Sequence, residues 1–211
     1  MKKSFTMLEL IFVIVIIGIL ASVVIPNTKT NSLQEAATQV LSHIRYTQHL
    51  AMVDDRYDID DNQWYKEKWQ FIYGKSKSSS RDTGGYYAYS IFSDNASGHK
   101  GKPDISEMAK NPLNLNKYLS GGYSGTLDWE NSKASKKLNI GYSYGIDKIA
   151  YRGCGGKRIA FDYLGRPFVG ADNNWDDNVD GSLKKQCKII LHKGYDSINI
   201  YIEKETGYIH F

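Results

Sequence analysis

Cysteine is nearly absent from this sequence, which holds Cys154 and Cys187 among 211 residues. Neither has a C-x-x-C or C-x-x-H companion, so neither zinc binding nor thioredoxin-type redox chemistry is indicated. Strong charge of either sign is missing too. A net charge of +4 is too small to imply nucleic-acid binding by itself, and losing Lys2 and Lys3 with a leader would lower it to about +2. Charge is absent altogether from Leu10 to Ile25, in a chain that is otherwise polar, Gly-rich and Tyr-rich. No His, Ser and Asp side chains converge by pattern: His43 and His49 fall on an N-terminal helix, while His99, His192 and His210 are scattered. No catalysis is therefore expected.

What is present begins at the N-terminus. The length suits one anchor and one globular domain of roughly 150 residues, enough to bury its own core. Lys2 and Lys3 precede the apolar run, and a short basic flank stays in the cytoplasm while the residues after Ile25 are carried across the membrane. Phe5 to Ile25 would span about 31 Å as a helix, enough to cross a bilayer core. A cleaved secretory signal is the competing reading, but Ala21-Ser22-Val23 is a poor cleavage site because Val23 is β-branched. Glu9 is the anomaly, since a carboxylate one turn into an apolar helix costs on the order of 2 to 3 kcal/mol. A cut between Ser4 and Phe5 would create an α-amine, and the amine of a neighbouring subunit could meet Glu9 within the membrane. The alternative is a protonated or snorkelling Glu9 near the interface. In an exported domain Cys154 and Cys187 are expected as a disulfide, closing a loop worth ~3 to 4 kcal/mol; two buried free thiols are the other reading.

Lys2-Lys3-Ser4-Phe5-Thr6-Met7-Leu8-Glu9-Leu10, with the apolar run and Pro26 after it, resembles the class III leader of type IV pilins and type II secretion pseudopilins. The resemblance implies cleavage between Ser4 and Phe5 and N-methylation of Phe5 by a prepilin peptidase. It also implies extraction of the helix into a filament through an inner-membrane assembly platform, with other pilin or pseudopilin subunits as partners. Glu9 and Pro26 are then assembly residues, and the location is the bacterial inner membrane, single-pass, with a cytoplasmic N-terminus and a periplasmic head. Ser4 stands where the family usually has Gly. A second stretch, Arg158 to Pro167 followed by Thr206-Gly207-Tyr208-Ile209, is similar to the strand patterns of H-type minor pseudopilins.

After Pro26, apolar or small residues recur at Leu33, Ala36, Ala37, Val40, Leu41, Ile44, Thr47 and Ala51, three or four apart, as on one face of a helix. Gln34, Glu35, Gln39, Ser42, Arg45 and Gln48 fall on its other faces. Pro26 and Gly18 are weak points. The helix is expected to end at Asp54-Asp55, giving a rod of about 49 residues and ~70 Å. Beyond Asp61 the pattern predicts strands at Trp69 to Tyr73, Tyr86 to Phe92, Leu138 to Tyr144, Lys157 to Tyr163, Cys187 to His192 and Ile198 to Glu203. The last folds back on Tyr208 to Phe211 as a hairpin. Lys75 to Gly85, Ser93 to Lys102 and Gly170 to Gly181 read as loops. The expected fold is α+β: a leader at 1–4, a transmembrane assembly segment at 5–26, an amphipathic continuation at 27–54, and an antiparallel β-rich periplasmic head at 55–211.

Three strings invite chemistry. Gly141-Tyr142-Ser143-Tyr144-Gly145 fits G-x-S-x-G, but no amphipathic helix follows, and a strand flanked by glycines is the better reading. Asp176-Asp177-Asn178-Val179-Asp180-Gly181 matches the first half of a calcium loop, with Asp176, Asn178 and Asp180 as candidate ligands; Cys187 occupies the place of the bidentate Glu. Asp172 or Asn174 would have to complete the site, and Asp58, Asp60 and Asn62 form a second oxygen-rich cluster. No cofactor is required, and Ca2+ is the one candidate. The basic groups Lys184-Lys185-Lys188, Lys133-Lys136-Lys137 and Lys75-Lys77-Arg81 could touch DNA phosphates. The leading expectation is a minor pseudopilin or minor pilin that helps to initiate or cap a filament for protein secretion. A DNA-binding minor pilin of an uptake machinery is the alternative, and a membrane-tethered periplasmic enzyme the least favoured one.

Overall fold

The computed structural model describes residues 6–27, 31–54, 56–76, 85–95, 101–123, 126–170 and 181–211. The chain divides into two compact units, Met1–Asn31 and Ser32–Phe211. The first is built on α1, Met7–Asn27. Thr6 sets its start: Thr6 Oγ1 accepts the Glu9 N–H at 3.3 Å, and Glu9 Oε2 accepts the Thr6 N–H at 3.4 Å, the reciprocal pattern of a capping box. The side chains described on α1, those of Met7 to Leu20, cover about 21 Å of helix and are all exposed. Apart from Glu9 and Gly18 they are large and apolar, so this stretch has no polar face. Among the described residues no helix is long and apolar enough to cross a membrane.

The second unit is an α+β head. Its helix α2, Ser32–Val53, buries Leu33, Ala36, Ala37, Val40, Leu41, Ile44, Thr47 and Ala51, the stripe that the three-four spacing predicts. Among the described residues ten strands follow: β1 Trp69–Lys75, β2 Tyr87–Ser93, β3 Lys110–Asn111, β4 Asn114–Tyr118, β5 Lys148–Arg152, β6 Arg158–Phe161, β7 Pro167–Val169, β8 Cys187–Lys193, β9 Asp196–Ile202 and β10 Ile209–His210. A short helix, α3 (Ile140–Tyr144), precedes β5. One antiparallel sheet runs β2-β1-β6-β7 and another β10-β9-β8-β5, with β3-β4 as a small hairpin. Phe71, Tyr89, Phe161, Leu191 and Ile200 from the two sheets meet the α2 stripe in one core. Each fully buried Leu, Ile or Phe there contributes roughly 1.5 to 3 kcal/mol.

The described helices are α1, Met7–Asn27, and α2, Ser32–Val53; the expectation of one continuous rod falls on residues 28–30, which lie outside the described set. One expectation changes. Leu138 to Tyr144 is helical rather than a strand. Its apolar alternation mimics period two, but Asn139 Oδ1 accepts the Tyr142 N–H at 3.2 Å as an N-cap, and Gly145, at φ 74, closes the turn. Gly141 lies so near β2 that an added Cβ would fall 2.7 Å from the Tyr87 nitrogen. The terminal hairpin forms as expected, pairing Ile209 with Ile202 and His210 with Tyr201. The β3-β4 hairpin, by contrast, has no apolar alternation. Its flanking backbone docks along β2, where the Ile91 N–H donates to Leu119 and the Ala109 N–H to Ile91, each at 2.9 Å.

Candidate functional site

The residues singled out at the N-terminus divide. Ser4 and Phe5 lie outside the described residues, while Pro26 falls within the backbone of α1. Glu9 has a local partner in Thr6, and the Thr6-x-x-Glu9 spacing is the sequence signal for it. The carboxylate also stands in the first turn, where the helix dipole favours negative charge.

Cys154 and Cys187 are joined in a disulfide with 2.05 Å between the sulfurs and 4.5 Å between the Cα atoms. It ties the loop after β5 to the start of β8, and both residues are fully buried. The expected pairing of the two cysteines is therefore present.

A polar chain crosses the interface between α2 and the strands. Tyr144 Oη donates to Gln39 Oε1 at 2.8 Å, and Gln39 Nε2 donates to Lys137 O at 3.0 Å and to Tyr89 Oη at 2.8 Å. The Tyr89 hydroxyl is then left to donate to His43 Nδ1, 2.6 Å away, which requires a bare lone pair on that nitrogen and a neutral ring. Burial pushes His43 down to about 4 and the Tyr89 hydroxyl up; burial and then Glu35 push the Tyr144 hydroxyl up to about 12. With Nδ1 occupied by a hydroxyl proton and Tyr89 wholly buried, this network is structural.

The sheet containing β8 presents its other face to solvent. Along β8, Cys187, Ile189 and Leu191 point inward and Lys188, Ile190 and His192 outward. Near its edge Tyr201, His210 and Tyr208 stack, with ring centroids 5.4 and 5.2 Å apart, and the Lys188 ammonium lies over Tyr201. His210 places Nε2 3.0 Å from Glu203 Oε1 and Nδ1 2.9 Å from Phe211 O. Two acceptors, one at each nitrogen, favour the protonated ring, so Glu203 and the Phe211 carbonyl raise the His210 pKa; His210 and Gln186 in turn lower that of Glu203.

The remaining candidates are not drawn into a reactive arrangement. Ser143 sits in α3 and donates its hydroxyl to Lys136 O at 3.0 Å, so the G-x-S-x-G string makes no strand-turn-helix elbow. Asp176, Asn178, Asp180, Asp172 and Asn174 lie outside the described residues. Asp58 Oδ1 accepts the Asp60 N–H at 2.9 Å in an exposed turn, and among the described residues no three His, Cys, Asp or Glu side chains gather to hold a metal. A cleft beside the C-terminal end of α2 contains Asp54, Arg56, Lys68, Trp69 and Asp162. Its carboxylates are engaged: Asp54 Oδ2 accepts from Arg56 and Trp69 at 2.6 and 3.0 Å, and Asp162 accepts from Leu164 N, Arg166 N and Arg166 Nε. Of the basic groups, Lys77 and Arg81 lie outside the described residues, Lys133, Lys136 and Lys137 are exposed, and Lys188 belongs to the outward sheet face. Compared with known protein families, curated proteins and solved structures, the chain shows no match.

Proposed function

We propose that this chain is a minor pseudopilin or minor pilin, a non-catalytic subunit of a type II secretion or type IV pilus-like filament. One observation carries the reading. Apart from Glu9 and Gly18, the described side chains of α1 are large and apolar on every side, in a unit separate from a head whose core is drawn from Leu33 onward. A helix without a polar face is stable in lipid or among other apolar helices. Lipid before assembly and a helical filament core after it supply both surroundings in turn. The leader pattern around Ser4 and Phe5, the oxidised Cys154–Cys187 pair and the α+β head fit a subunit anchored in the inner membrane with its head in the periplasm. On this reading the head packs against neighbouring heads and helps to initiate or cap the filament.

Mass spectrometry of the mature protein tests it. The expected N-terminus is a methylated Phe5; an intact Met1, or a start after Ala21, overturns the assignment. Glu9 needs a separate test because Thr6 gives it a local role. Glu9→Gln keeps a side chain able to accept in the capping box but removes the charge, whereas Glu9→Val removes both. Loss of filament incorporation in both variants, with normal insertion and processing, identifies the charge as the docking element. Normal incorporation of Glu9→Gln would reduce Glu9 to a helix cap.

A further inference from the structure

The outward face of the second sheet carries a row of side chains from all four strands. Arg152 on β5 stands directly opposite Lys188 on β8, Lys188 opposite Tyr201 on β9, and Tyr201 opposite His210 on β10. Two cations facing each other across adjacent antiparallel strands repel; here Arg152 is exposed and Lys188 half-buried. Lys188 relieves part of the strain by leaning over the Tyr201 ring at 5.4 Å. At the other end of β5, Lys148 is also exposed and faces His192. The carboxylate beside this row, Glu203, is already bound by His210 Nε2 and by Gln186 Nε2 at 2.5 Å, so it does not neutralise Arg152.

Among the described residues β5 pairs with β8 alone, which makes it the edge of its sheet. Lysine and arginine on an edge strand discourage pairing with a like-charged copy, so Lys148 and Arg152 select against a second molecule of this chain. They favour an extended segment with carboxylates on alternate residues, since Lys148, Ala150 and Arg152 share one face. Nucleobase stacking is poorly served here, because Tyr201, His210 and Tyr208 spend ring faces on one another. We propose that the edge of β5 is a docking site for an acidic polypeptide, which adds as a further strand and sets its carboxylates against Arg152 and Lys148. Main-chain hydrogen bonds would provide the attachment and the cations the choice of partner. The inference is independent of the filament reading, because it concerns the head alone.

The test uses the full chain in zwitterionic detergent and a fluorescein-labelled peptide of alternating glutamate and valine, followed by anisotropy. Three competitors accompany it: the same composition with the glutamates in one block, the alternating peptide with every second amide N-methylated, and single-stranded oligothymidylate. Saturable binding is expected of the alternating peptide. It should weaken by about tenfold or more on N-methylation of the edge-facing amides and in Arg152→Glu. Arg152→Glu should also raise the melting temperature, since it converts a repelling pair with Lys188 into an attracting one, which separates lost binding from lost folding. Equal binding of the blocked or N-methylated peptide, tighter binding of oligothymidylate, or no saturable binding overturns the proposal.

Discussion

Acidification should destabilise the head through His43. In the folded state burial holds this imidazole at about 4, against 6.5 for a free histidine, and Tyr89 occupies Nδ1 with its hydroxyl proton. The unfolded chain therefore binds a proton that the folded chain refuses. A folded pKa depressed below the unfolded one makes stability fall as pH drops through 6.5, with the loss complete only below about 4. At 1.36 kcal/mol for each unit, the His43 contribution to the loss is about 2 kcal/mol at pH 5 and about 3 kcal/mol at pH 4. These are upper values, because a partly buried imidazolium can turn toward water. Urea unfolding of the unit Ser32–Phe211, whose core is its own, followed by the fluorescence of buried Trp69 and Trp129, measures the effect as a midpoint shift at constant slope. His43→Gln supplies the control: its amide oxygen can accept from Tyr89 but does not titrate in this range. The variant should sit about 1 kcal/mol below wild type at pH 7 and close that gap, or reverse it, by pH 5. Parallel curves for the two proteins, or a His43 resonance titrating near 6.5, would refute the reasoning.

Replacing both Cys154 and Cys187 by Ala should cost ~3 to 4 kcal/mol in urea, and reductant should lower the wild-type midpoint while leaving the variant unmoved; an unchanged midpoint would show that the bridge constrains little. Gly207→Ala should cost about 2 kcal/mol or more, because Gly207 has φ +63 and an added Cβ would lie 2.5 Å from Gly165 O; a wild-type melting temperature would contradict this. His210 works in the opposite sense to His43. Its folded pKa is raised, so its stabilising contribution is fully present below the unfolded value near 6.5 and is lost as pH rises through the folded value. In NMR titrations the His210 ring should titrate above a free histidine in wild type and return toward it in Glu203→Gln; no difference between the two would remove the pair.

Local patterns were legible in the sequence, and non-local pairings were not. The α2 stripe is read from spacing because a helix brings residues three and four apart to one face whatever surrounds it. The C-terminal hairpin is read from two apolar runs flanking Lys204 to Gly207. Leu138 to Tyr144 misleads because Leu138, Ile140, Tyr142 and Tyr144 alternate like a strand, while the competing signals, Asn139 as cap and Gly145 as stop, are single residues. Thr6 and Glu9 show the reverse: the capping-box signature is present, but the oddity of a carboxylate in an apolar run draws attention to distant partners. The row Arg152, Lys188, Tyr201, His210 depends on the register of four strands, and no local period announces it.

The polar side of α2 has a further consequence for how the helix is held. Gln39, Arg45 and Gln48 fall on faces outside the apolar stripe, yet each reaches a backbone carbonyl of the head. Gln39 donates to Lys137 O, Arg45 to Ile209 O at 2.7 Å through Nη2, and Gln48 to Gly165 O and Thr206 O at 2.8 and 3.2 Å. The buried stripe alone would fix this helix loosely, since Ala36, Ala37, Thr47 and Ala51 are small and offer few interlocking ridges. Hydrogen bonds are directional, and three anchors spread over roughly 14 Å of axis set both its rotation and its axial position. The two acceptors of Gln48 are backbone atoms in turns, so they tolerate substitution of the turn side chains as long as turn geometry survives. That places the weight on Gly165 and Gly207, whose positive φ angles shape the two turns that Gln48 joins. A substitution at Gly207 therefore loosens the C-terminal half of α2 from the head as well as straining its own turn, and hydrogen exchange should show faster opening of α2 near Gln48 in Gly207→Ala than near Gln39.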